Sequence, residues 1–130
     1  METKIHTNPD GSTIIVPASA YIEEGAYIGK GAIIGERAII GEKAVIDEKA
    51  IIGEGTVIRE GTDIRKGAII GTGASIGRWS IIGKGVYIGE GASIGSLAFI
   101  GKGVYIGEGA SIGSLAFIEE GAIIRKGAIE

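Results

Sequence analysis

IGKGVYIGEGASIGSLAFIGKGVYIGEGASIGSLAF, residues 82–117, is one eighteen-residue string written twice without a substitution. Inside each copy runs a shorter rhythm, with isoleucine at every sixth position: Ile82, Ile88, Ile94, Ile100, Ile106 and Ile112. Followed outward, the same phase holds from Ile22 to Ile124, where all eighteen sixth positions are isoleucine. Self-similarity at a fixed spacing is the sequence mark of a repeat architecture, so this period decides the fold.

Two residues before each isoleucine stands a small residue or valine: Ala20, Ala26, Ala32 and Ala38, then Thr56, Thr62, Ser80, Val86 and onward. A small-x-Ile triplet has strand alternation, so the small residue and the isoleucine face inward and the middle residue faces out. That outward place holds Tyr, Ile, Val, Phe, Ser or Asp63, mostly strand formers. After isoleucine comes glycine in twelve of the eighteen hexads, followed by a polar residue and often a second glycine, which makes a corner. A helix is excluded, because six does not match a 3.6-residue turn and each glycine in a helix interior costs about 1 kcal/mol.

A strand this short buries no core alone, so hexads must wind and stack, each pairing with its equivalent one coil away. The duplicated unit measures the coil: eighteen residues are three hexads, hence a triangular cross-section with three short parallel sheets. About six coils at a strand spacing of about 4.8 Å give a prism about 30 Å tall. Residues 1–15 break the rhythm. There the Asn8-Pro9-Asp10-Gly11 turn signal, between Lys4-Ile5-His6 and Ser12-Thr13-Ile14-Ile15, predicts an N-terminal cap on a β-helix of residues 16–130. Glu130 falls where the next isoleucine belongs, and Glu119, Glu120, Arg125 and Lys126 charge the final hexads. A charge at the core position is expected to discourage addition of another coil.

The hexads of residues 16–129 resemble those of the hexapeptide-repeat family, which implies an all-β, left-handed parallel β-helix. Handedness comes from that resemblance, since the general rule for parallel crossovers favours the other hand. Family members usually interrupt the pattern with loops. This chain has no interruption, and drift erodes duplications, so the perfect copy reads as a young duplication or as an idealised, synthetic solenoid.

The resemblance also implies activities to weigh. Family acyltransferases use a catalytic histidine with loops shaping a cleft between subunits, and family carbonic anhydrases use three zinc-binding histidines. The chain has one histidine, His6, in the expected cap. One imidazole cannot build a three-histidine site within one chain. The glycine motifs do not fit phosphate loops: Gly77 and Gly83-Lys84 are separated by five residues where a Walker loop needs four, and no dinucleotide fingerprint occurs. Glu36 over Glu54 and Glu90 over Glu108, eighteen residues apart, read as solvated corner charges, as do Lys66, Lys84 and Lys102. Ser75, Ser93 and Ser111 form a single outward hydroxyl column, without the parallel threonine column that ice binding calls for.

The composition agrees with an ordered body: 130 residues, 45% hydrophobic, formal charge −3 and no cysteine. The charge gives no support to nucleic-acid binding. Apolar runs stop at four residues, as in LAFI at 97–100, too short for a membrane span or a signal core, so a cytoplasmic location in the producing cell is expected. The most informative column is apolar. Trp79, Leu97 and Leu115 share a corner, and Ile81, Phe99 and Phe117 follow two residues later on the adjoining outward face. A patch of this kind marks a partner surface, here one for self-association as a homodimer, the alternative being a shallow, partly covered stripe on a monomer. A second column, Ile33, Ile51, Ile69, Tyr87, Tyr105 and Ile123, makes lateral packing reasonable too.

The sequence therefore predicts a structural repeat scaffold, not an enzyme, with no catalytic, cofactor-binding or metal residues. It predicts no cofactor, and no partner except a second copy of itself: no nucleic acid, membrane or small-molecule substrate. The alternative is an engineered or degenerate hexapeptide-repeat acyltransferase that has lost its active site.

Overall fold

The alternation of small residue, outward residue and isoleucine becomes eighteen two-residue strands, from Tyr21–Ile22 to Ile123–Ile124, in a computed structural model that describes residues 2–130. They form three six-stranded parallel sheets, each strand beside the one eighteen residues away. Tyr87 pairs with Tyr105 and Ile88 with Ile106, and the same offset holds in every sheet. The coil is eighteen residues and the solenoid has about six turns, as the duplicated string indicates.

The strands hold two residues, one fewer than the triplet suggests, because the small residue divides its backbone between two jobs. The amide of Ala92 closes the corner on the Gly89 carbonyl (3.2 Å), while its carbonyl accepts the ladder bond from Ser75 of the preceding coil (3.0 Å). It ends a turn and begins a strand at once.

The core is a stack of repeated columns. Isoleucines from Ile40 to Ile112 are all at most 2% exposed, those nearer the ends such as Ile34, Ile118 and Ile124 slightly more, and alanine or valine fills the small position beside most of them. Three hexads place a hydroxyl there instead. Thr56 Oγ1 donates to the Gly71 carbonyl (3.0 Å), Thr62 Oγ1 to Gly77 (2.9 Å) and Ser80 Oγ to Gly95 (2.8 Å). Each buried hydroxyl is satisfied by the next coil, which keeps burial from being costly.

Corners impose two separate demands on glycine. At the first corner position the backbones of neighbouring coils crowd: a Cβ on Gly71 would lie 2.7 Å from the amide nitrogen of Glu90. At the second position the chain turns left-handed, as at Gly73 with φ of 70°. Six residues with side chains adopt that left-handed turn as well: Arg37, Lys43, Lys49, Trp79, Leu97 and Leu115.

The first coil is covered by a hairpin of β1 (Thr3–Thr7) and β2 (Thr13–Pro17), antiparallel and in register from Thr3 opposite Pro17 to Thr7 opposite Thr13. Its turn is closed by Asn8 and Ser12 backbone bonds and by Gly11 at φ of 90°. The Ser12 hydroxyl and amide both donate to Asp10 Oδ1, at 2.6 and 2.9 Å, and hold that carboxyl below the usual carboxylate range. Alternate side chains of this segment reach down to the coil. Lys4 Nζ donates to the Ala20 carbonyl (2.6 Å), and His6 Nε2 meets that of Ala26 (3.1 Å). Asn8 donates to the Ile28 carbonyl (2.9 Å) and accepts from the Ile28 amide (2.7 Å).

Candidate functional surface

Because side chains alternate across each strand, the outward residue of every hexad falls into one of three columns, one per sheet. The first runs Tyr21, Ile39, Val57, Ser75, Ser93, Ser111. A second runs Tyr27, Val45, Asp63, Ile81, Phe99, Phe117. The third runs Ile33, Ile51, Ile69, Tyr87, Tyr105, Ile123. Stacked aromatics appear where neighbours match: Tyr87 on Tyr105 and Phe99 on Phe117, both with ring centroids 5.1 Å apart.

The structure brings together the six residues singled out in the sequence. Trp79, Leu97 and Leu115 stand at the corner that feeds the second sheet, and Ile81, Phe99 and Phe117 are its outward residues. Five of the six are exposed, Leu115 and Phe117 most of all at 74% and 67%, while Ile81 is half-buried. The Trp79 ring lies over Gly61 of the preceding coil, in space that a Cβ there would enter.

The corner itself carries a signal the sequence reading did not use. Gly25, Lys43 and Gly61 occupy the same column as Trp79, Leu97 and Leu115, and all six are left-handed. For a bulky L-residue that conformation is unfavourable by about 1–2 kcal/mol. Three successive coils thus hold large apolar side chains at a position whose backbone favours glycine. A large residue at a corner position that is glycine in twelve of the eighteen hexads is readable from the hexad alignment alone.

Other singled-out residues meet ordinary partners. His6 sits in the hairpin against the Ala26 carbonyl, outside the coils. Glu54 pairs with Arg37 of the coil before it (3.0 Å), and Lys126 reaches back to Glu108 (3.6 Å), so one carboxylate of each stack has a cation beside it. All of these groups are solvent-exposed, and such pairs are worth about 0–1 kcal/mol. Among the described residues no group of three or more His, Asp or Glu could hold a metal ion, and no helix is long and apolar enough to cross a membrane. Ser75, Ser93, Ser96 and Ser114 line a shallow depression with Arg59 and Arg78 on the first sheet.

Comparison with known proteins places this geometry. No curated protein matches the sequence. Among solved structures, a hexapeptide transferase family protein from Anaplasma phagocytophilum shares 26% identity at a TM-score of 0.84, over 88% of this chain and 70% of that one. A UDP-N-acetylglucosamine acyltransferase from Francisella novicida shares 25% identity at a TM-score of 0.67 over 88% of this chain. The present chain spans 53% of that protein's length. An N-acyltransferase from Bacillus cereus, 19% identical with a TM-score of 0.65 over 82% of this chain and 71% of its own, has the same fold. The chain is thus a left-handed parallel β-helix of the hexapeptide-repeat type. Its sequence matches the family described as the GMPPB C-terminal domain over residues 11–86, from the hairpin turn into the fourth coil. More than half of the sequence carries that match, and the chain belongs to the GMPPB C-terminal domain family.

Proposed function

We propose that the chain is an idealised, synthetic repeat scaffold: a rigid rod whose coils can be multiplied and whose outward columns can be decorated without disturbing the core. The observation that carries this reading is the unbroken run of eighteen hexads, in which no loop leaves the coils to shape a cleft. A transferase needs a positioned base within hydrogen-bond reach of its substrate. The one imidazole of this chain is engaged with the Ala26 carbonyl under the hairpin.

A second reading has its own support. The solved relatives at 25% and 26% identity are described as an acyltransferase and a hexapeptide transferase family protein. On that reading the chain is the solenoid of a transferase without its active site, or a piece of one that works alongside other segments. An acyl-transfer assay with an acyl thioester donor and a panel of amino-sugar acceptors separates the two. The scaffold reading expects thioester consumption at the buffer rate. Turnover above background that is lost in His6→Ala overturns it.

A further inference from the structure

We propose that the face bearing Phe99 docks on a second copy of the chain, antiparallel, about a two-fold axis lying in the plane of that face and perpendicular to the solenoid axis. The proposal goes beyond the scaffold reading and does not depend on it.

The first argument is the distribution of bulk along the face. Its apolar residues gather in the last three coils, where the corner column carries Trp79, Leu97 and Leu115. In the first three coils the same column reads Gly25, Lys43, Gly61. A two-fold of this kind keeps each corner on its own side and reverses the coil order. It sets Leu115 over the partner's Gly25 and Leu97 along the aliphatic stem of the partner's Lys43, while at the axis the two Trp79 rings, each lying over Gly61 of its own chain, meet one another. The raised half of one copy meets the low half of the other. The same operation faces Phe117 with the partner's Tyr27, Phe99 with the partner's Val45, and, at the centre, Ile81 with the partner's Asp63, whose carboxylate is held by Arg65 of its own chain (3.5 Å). An isologous contact requires this self-complementarity.

Charge supplies the second argument. The corner that leaves this sheet carries, coil by coil, Lys30, Glu48, Lys66, Lys84, Lys102 and Glu120. Reversing the order brings Lys30 to Glu120 and Glu48 to Lys102, each twice by symmetry, with Lys66 and Lys84 the one like-charged meeting. Parallel packing instead lays Lys84 and Lys102 against Trp79 and Leu97 and leaves those charges without partners. Rim charges of this kind fix register and orientation more than they add affinity.

Area sets the strength. Six coils at about 4.8 Å by a side about 17 Å wide give about 500 Å² per copy, so about 1,000 Å² in all. That is the threshold for a specific contact and marks a weak, transient dimer. The left-handed corners fit the same picture: strain at Leu97 and Leu115 is retained where the side chains have something to contact.

Sedimentation equilibrium across concentrations up to about 1 mM tests it. A monomer–dimer equilibrium is expected. A parent monomeric throughout, or one forming trimers, overturns the proposal. Leu97→Gly with Leu115→Gly favours the backbone and so folds; it should weaken the dimer at least about tenfold, and unchanged dimerisation overturns the assignment of this face. Glu48→Lys and Lys102→Glu each should weaken it about tenfold, and the double variant should restore it. Within one chain these residues are three coils apart, too far to pair. Failure of the double variant to recover overturns the antiparallel register.

Discussion

Asn8 does for the first coil what a peptide group does for every other. In parallel pairing, a residue such as Ile46 presents both its amide and its carbonyl toward the coil before it. For Ile28, that neighbour is the carboxamide of Asn8, which accepts from one group and donates to the other. It is 4% exposed, so both bonds are shielded from water. Asn8→Ala orphans two buried backbone groups, at a cost of about 1–3 kcal/mol each. Chemical denaturation should show the midpoint fall with its slope preserved. Thr62→Val makes a milder test. Valine has nearly the volume of threonine, so the loss reduces to the bond to Gly77, about 1 kcal/mol. A neutral result would mean that the Gly77 carbonyl finds another donor. The sequence shows Asn8 as a turn residue and no more, because its partner lies twenty residues away and belongs to no repeat. The inward isoleucines were legible for the opposite reason: each is one of eighteen equivalent positions, and the period averages out local ambiguity.

The coil is the element of this fold. Each coil contacts its neighbours through the same three ladders and the same core column, so stability is close to a sum of coil terms and nearest-neighbour interfaces. Removing residues 100–117 rejoins Phe99 to Ile118 in unbroken hexad phase, and the product should fold one coil shorter, with circular dichroism per residue nearly unchanged. Removing sixteen residues from the same place shifts every following isoleucine out of the core and should abolish cooperative unfolding. A folded sixteen-residue deletant would contradict the strict period. Strand length was the part of the coil that the triplet overstated, since the small residue's amide closes the corner while only its carbonyl joins the ladder. The left-handed corners were partly legible: glycine recurs where the turn needs it, and Trp79, Leu97 and Leu115 depart from that rule in plain view.

At the scale of the molecule, a solenoid makes surfaces by translation: whatever side chain stands at an outward position recurs at about 4.8 Å, so a face is a column of choices rather than a pocket. Function on such a body comes from what the columns meet. That is why the apolar face could be found in the sequence: the hexads place Phe99 and Phe117 side by side, and a second copy was the partner they suggested, whereas the orientation proposed above rests on charges at a neighbouring corner and on bulk three coils away. The core proposition remains that eighteen residues close one turn and that isoleucines eighteen apart touch along the axis. Methyl–methyl nuclear Overhauser contacts in isoleucine-labelled protein measure this directly. Strong cross-peaks from Ile88 to both Ile70 and Ile106, and from Ile106 to Ile124, are the expected result. Contacts from Ile88 to residues three and four positions away, with none at eighteen, would contradict it.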